Sequence, residues 1–96
     1  MKIFISGPMT GCKNYNRPAF FDAEDDLKAQ GHTVWNPAHN PDGFEHEEYM
    51  HVCLPMIDIC DAVYLLNGWG SSQGARQERN YAIRSGKKLI YQEEET

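Results

Sequence analysis

The residues with the clearest chemical potential are Gly68-Trp69-Gly70-Ser71-Ser72-Gln73-Gly74-Ala75-Arg76-Gln77-Glu78-Arg79-Asn80-Tyr81-Ala82. A short apolar run, Ala62-Val63-Tyr64-Leu65-Leu66, precedes them with the length and residue types of a buried strand. The Gly/Ser-rich turn then opens a run of good helix formers that stops at Ser85-Gly86, residues suited to a C-cap. Strand, small-residue loop and helix N-terminus together make an anion-binding arrangement. Free backbone N–H groups and the positive end of the helix dipole converge there, and glycine lets a ligand approach the backbone.

Ala75, Glu78 and Ala82 lie three and four apart, so they share one helix face. The two small apolar residues mark that face as closely packed, and Glu78 is expected to point inward or along a cleft. A carboxylate there costs free energy unless it is paired, hydrogen-bonded or functional. Two alternatives stand at this point. Glu78 pairs with Arg76, Arg79 or a neighbouring loop, or it is a reactive group.

The elements that must position this helix follow from the rest of the chain. Met1 to Ser6 reads as a first strand and ends in Gly7-Pro8-Met9-Thr10-Gly11. A polar and aromatic loop through Lys13, Tyr15 and Arg17 leads to a helix opened by Pro18. Its buried side comprises Phe20, Ala23, Leu27 and Ala29, with Asp22, Glu24 and Asp25 outside and Gly31 ending it. His32 to Trp35 is the second strand, and Asn36 to Phe44 is a loop rich in turn residues. Glu45 to Cys60 is helical by the stripe Met50, Cys53, Leu54 and Ile57, with a kink expected at Pro55. Cys53 is expected to be a buried, inert thiol on that stripe. Asp61 caps or turns the chain into the third strand. Lys88 to Tyr91 forms the fourth strand, and the acidic tail Glu93-Glu94-Glu95 is expected to fray.

This βαβαβαβ order, with right-handed crossovers, predicts an open parallel four-stranded sheet of order 2-1-3-4. Helices cover both faces in a flavodoxin- or Rossmann-like three-layer sandwich. The topological switch point falls between strands one and three, where the loops Gly7–Arg17 and Gly68–Gly74 meet. The 96 residues are expected to form a single domain.

Composition narrows the partners. A chain of this size buries roughly 60–65% of its unfolded surface, so a sizeable site calls for walls from a second copy. A homodimer or higher homo-oligomer is therefore expected, with contacts through Tyr49 and Met50 on the Glu45–Cys60 helix. The formal charge of −5 argues against nucleic-acid polymers and anionic membranes. Residues 70–88 nevertheless carry Arg76, Arg79, Arg84, Lys87 and Lys88 against Glu78, a local +4. That balance suits either a small anionic ligand or an ordinary solvated face. Three cysteines without C-x-x-C spacing and four histidines without H-E-x-x-H predict a reduced, cytoplasmic protein with no metal site. The absence of G-x-G-x-x-G argues against a dinucleotide, and no cofactor is expected. Nor is there a signal peptide or an 18-residue apolar run.

Several motifs resemble the nucleoside 2-deoxyribosyltransferase-like superfamily, and within it short phage and prophage members of unknown function. They are Gly7-Pro8-Met9-Thr10-Gly11, Asn14-Tyr15-Asn16-Arg17-Pro18-Ala19-Phe20, Gly31-His32, Asn36-Pro37-Ala38, Cys60-Asp61-Ala62, Gly68-Trp69 and Ser72-x-Gly74-x3-Glu78-x3-Ala82. In characterised relatives, which are deoxyribosyltransferases and 2′-deoxynucleotide N-hydrolases, the glutamate matching Glu78 attacks C1′ of the sugar. The resemblance therefore implies a carboxylate nucleophile, a glycosyl-enzyme intermediate and an oxocarbenium-like transition state. Nucleotide-specific relatives carry a serine where Ser72 stands, and nucleoside-specific ones carry an aspartate, which would repel a phosphate. Relatives also handle the leaving base's proton with an aspartate eight residues before the one matching Asp61. Here Cys53 occupies that position. His51, Asp58 and Asp42 are other proton carriers, none of them at the matching place.

The resemblance thus implies an enzyme acting on the N-glycosidic bond of a nucleoside 5′-monophosphate, of deoxyribose type. Glu78 is the expected nucleophile and Asp61 the residue orienting nearby groups. Ser71, Ser72 and Gly74 form the expected phosphate cradle. Tyr15 and Arg17 wall the sugar or base pocket, and Gly7, Pro8, Met9, Asn36 and Trp69 complete the substrate-binding set. Two alternatives remain: a non-catalytic binder that sequesters a nucleotide or nucleotide-derived signal, and an oligomeric scaffold with a vestigial cleft.

Overall fold

Alternation along the first strand sets the layering. In β1 (Lys2–Ser6), Ile3 and Ile5 face one side and Phe4 the other, all fully buried. Ile3 and Ile5 pack on Phe20, Ala23 and Leu27 of α1 (Arg17–Ala29). Phe4 packs with Cys53 and Ile57 of α2 (His46–Ile59) and Ala82 of α3 (Gln73–Arg84). Each large side chain buried in this way contributes about 1.5–3 kcal/mol. The computed structural model describes residues 1–92, so the acidic run Glu93–Glu95 lies outside the described residues.

The remaining strands are β2 (Thr33–Trp35), β3 (Ala62–Leu65) and β4 (Lys88–Tyr91). All neighbours pair in parallel, in the order β2-β1-β3-β4, as the alternation of elements predicts. Helix α2 runs through Pro55 and is opened by a capping box between Glu45 and Glu48.

At the end of β1 the backbone is tightly fixed. The Leu66 N–H donates to the Ser6 carbonyl at 2.8 Å. A Cβ on Gly7 would lie 2.8 Å from the Leu66 Cβ, so this position needs glycine for space. The chain then makes a left-handed turn before α1. Asn14, Tyr15 and Asn16 have φ of 50, 52 and 59°, values that asparagine tolerates and tyrosine does not favour.

Two expectations for α1 are corrected. Ala29 is exposed, and Glu24, expected outside, is 8% exposed. Polarity alone pointed Glu24 to solvent, but its carboxylate is saturated with donors. Lys28 Nζ lies at 2.6 Å, Asn36 Nδ2 at 2.8 Å and His39 Nε2 at 2.9 Å. The Lys28 bond leads in holding its pKa down at about 2 against the opposing effect of burial, with Asn36 and His39 adding to it. Because the folded value lies below the ordinary 4.5, this stabilisation is complete above pH 4.5 and is lost as pH falls toward about 2. Glu24→Gln is expected to cost about 1–3 kcal/mol at pH 7 and almost nothing near pH 2, as urea unfolding at the two pH values would measure.

Candidate active site

A cleft of about 470 Å³ opens at the carboxyl ends of β1 and β3, the switch point of the sheet. Its walls are the loop after β1, the segment from Pro37 to His46, the inner side of α2 and the start of α3. The volume lies within the range of small-molecule sites, roughly 300–1,000 Å³.

Glu78 reaches this cleft from α3 and is 6% exposed, between Ala75 at 1% and Ala82 at 0%. The Ser6 hydroxyl donates to Glu78 Oε1 at 2.6 Å. Cys53 of α2 lines the cleft with it and favours the ionised carboxylate. Neither candidate arginine pairs with it. Arg76 Nη1 donates to the Gly70 carbonyl at 3.1 Å, and Arg79 Nε donates to the Tyr91 hydroxyl at 2.9 Å. Among the described residues Glu78 has no salt bridge, which removes the arginine-pair alternative.

Burial pushes the Glu78 carboxyl up to about 7, while the Ser6 bond and then Cys53 pull it back down. At neutral pH an appreciable fraction is ionised. Burial, followed by the charge of Glu78, pushes the Cys53 thiol up to about 12. Cys53 therefore keeps its proton throughout the neutral range.

The α3 N-terminus forms a second wall. Ser72 caps it, its Oγ accepting the Ala75 N–H at 3.2 Å and its carbonyl accepting the Arg76 N–H. Gln73 and Gly74 thereby supply the first-turn amides without helical partners. His46 contacts the Gln77 Oε1 through Nε2 at 2.6 Å, and a Cβ on Gly74 would lie 3.4 Å from the imidazole Cε1. At the opposite rim Arg17 pairs with Asp42 and lies 5.0 Å over the Tyr15 ring. Phe44 and Tyr49 meet edge to face beside them, and the Tyr49 hydroxyl donates to the Pro41 carbonyl.

Of the residues singled out from the sequence, Glu78, Gly7, Met9, Tyr15, Arg17, Ser72 and Gly74 line the cleft. Five do not. Asp61 accepts the Lys2 N–H at 2.8 Å, at the end of β1 away from Ser6. Four residues of strand separate the two ends by about 13 Å, so Asp61 orients nothing in the cleft. The Asn36 side chain is spent on Glu24, the Phe20 carbonyl and the Ala38 N–H. Pro8 lies against Gly68, and the Ser71 hydroxyl donates to the Gly68 carbonyl. Trp69 packs under Arg79 at 4.9 Å and against Tyr91.

Among the alternative proton carriers, Asp42 is at the rim, whereas Asp58 accepts from the Tyr81 hydroxyl and His51 is outside the lining. Tyr49 and Met50, expected at a subunit contact, line the cleft, while Val52 and Ile59 are the exposed apolar residues of α2. Ser6 and His46 were not foreseen as cleft residues. The spacing of His46, Met50 and Cys53 at i, i+4 and i+7 was the available signal for His46. Ser6 had none.

Among the described residues no group of three or more His, Cys, Asp or Glu could hold a metal ion. No helix there is long and apolar enough to cross a membrane. A family model described as a domain of unknown function, DUF4406, matches residues 1–91. No curated protein matches the chain by sequence. Among solved structures, a 2-desoxiribosyltransferase from Leishmania mexicana superposes with a TM-score of 0.74 at 20% sequence identity. The match covers 94% of this chain and 62% of that one, so this chain spans under two thirds of the enzyme's length. At that identity the likeness establishes the fold.

Proposed function

The chain belongs to the DUF4406 family, and from that premise we propose that it acts at the N-glycosidic bond of a 2′-deoxynucleoside 5′-monophosphate. The observation that carries this proposal is Glu78, a buried carboxylate in the cleft held by Ser6 and, among the described residues, paired with no cation. A buried structural carboxylate is ordinarily paired with a cation or saturated with donors, as Glu24 is. Glu78 stays free to share its charge with an electron-poor carbon.

In the proposed reaction a Glu78 carboxylate oxygen attacks C1′, and the C1′–N bond breaks with its electron pair leaving on the base. The base takes a proton from solvent, since Cys53 keeps its own. Water or a second base then attacks C1′ and releases Glu78, giving hydrolysis or transfer. Ser72, Gln73 and Gly74 meet the 5′-phosphate at the start of α3, and the Tyr15, Arg17 and Tyr49 side faces sugar and base. The test is a panel of nucleoside monophosphates, deoxy and ribo, followed by chromatography for free base. Base release from the deoxy members supports the proposal, and an unchanged panel after hours defeats it.

A non-catalytic binder of the same nucleotides is the second function in play. The Cys53 thiol at about 12 favours it, because acid–base partners commonly supply about 10²–10⁴-fold in rate. A bound but uncleaved nucleotide in the same panel identifies that case. Under either function a second copy is proposed to complete the site, and light scattering showing only an 11 kDa species at micromolar concentration would reject it.

A further inference from the structure

Resting on that proposal, we infer that Ser6 is a positioning residue that grips the Glu78 carboxylate from a separate element and fixes its orientation for attack at C1′. Ser6 comes from β1 and Cys53 from α2, while Glu78 itself rides on α3. A glutamate has three side-chain torsions, and a short bond from a fully buried donor on a separate element restricts them.

The Ser6 hydroxyl has little freedom of its own. Ser6 is 0% exposed, its carbonyl takes the Leu66 N–H, and the following Gly7 is wedged against Leu66. A fully buried serine most often bonds nearby backbone, but this one donates to a side chain 72 residues away. Cys53 is held with Phe4, Ile57 and Val63, on the stripe of α2 that faces α3. Ser6 and, after it, Cys53 favour the ionised carboxylate at a place where burial disfavours it.

The other charged or titratable groups near Glu78 act elsewhere. Arg76 and Arg79 on its own helix bond Gly70 and Tyr91. His46 on α2 lies over Gly74, one helical turn toward the mouth, and Arg17 is paired with Asp42 at the rim. The grip accordingly rests on Ser6.

The experiment combines ¹³C NMR titration of the Glu78 carboxyl with kcat and KM for base release from a 2′-deoxynucleoside 5′-monophosphate. Ser6→Ala removes a donor to the charged form, so the titration and the acid limb of the rate profile should move up by about one to two pH units. It should lower kcat by about 10- to 100-fold and leave KM within about twofold, because the nucleophile is misaimed and not lost. Ser6→Cys keeps a weak donor and should fall between the two. Cys53→Ser supplies a stronger donor and should move the titration down, which a purely structural role would not do. It also keeps the inference testable if Ser6→Ala fails to fold. An unmoved Glu78 titration with unmoved kcat in Ser6→Ala, or shifts of the same sign in both variants, overturns the grip. The expected titration shifts without any base release in the wild type would defeat the enzymatic proposal and leave the grip standing.

Discussion

Glu78→Gln is expected to lower base release by about 10³-fold or more while nucleotide binding persists. The amide keeps the length and shape of the side chain, and its oxygen can still accept from Ser6. It cannot form the glycosyl ester or stabilise positive charge building at C1′. The same substitution makes a separate statement about folding. Burial raises the Glu78 pKa from the ordinary 4.5 to about 7, so protonated Glu78 suits the folded state better than ionised Glu78. Stability from this group is fully present below pH 4.5 and is lost as pH rises through about 7, an effect of about 3 kcal/mol. Glu78→Gln should remove that loss. At pH 8 the variant should therefore melt higher than the wild type, and at pH 4 the difference should nearly vanish. A variant both less stable at pH 8 and still active would contradict both halves of the assignment.

Ser72→Asp is expected to weaken nucleoside monophosphates by about 30- to 100-fold and to leave free nucleosides within about threefold. Aspartate is as good an N-cap as serine, so it should keep the bond to the Ala75 N–H and leave α3 in place. What changes is a negative charge set against a phosphate a few ångströms away. At an intermediate dielectric that repulsion amounts to about 2–4 kcal/mol, lowered by solvent at the mouth. Calorimetric titration with matched nucleoside and monophosphate pairs would measure it. Equal weakening of both classes would move the phosphate away from the α3 N-terminus.

The helix face carrying Glu78 was legible because helical periodicity acts within one element, and Ala75 and Ala82 bracket the carboxylate whatever packs on them. Strand order followed from the alternation of strands and helices, since parallel crossovers have a single hand. What the sequence could not display were contacts between distant segments. Ser6 meets Glu78 across 72 positions, and nothing in Ile5-Ser6-Gly7 announces it. Glu24 looked like a solvent-facing acid because polarity is a local property, whereas its three donors come partly from the Asn36–His39 turn. Asp61 sat beside a strand as the motif required, but its end of that strand faces away from the cleft. Trp69 and Ser71 belong to the same Gly/Ser stretch as Ser72, yet a 3-10 turn over Trp69–Ser71 carries them outside.

The floor and the rim of the cleft differ in what must break for them to open. Beneath Glu78, the buried Leu66 amide is bonded to Ser6 where the two central strands end. Its proton should exchange with deuterium only through unfolding of the whole sheet. At the rim, Tyr15 and Asn16 occupy a left-handed turn tied down by surface contacts such as the Arg17–Asp42 pair. Their amides should exchange through small local openings, many orders of magnitude sooner. Ligand entry can then proceed at the rate of rim motion while Glu78 stays in place. Under the proposed function, turnover and global stability would vary independently, and a stabilising substitution in the sheet need not slow the protein.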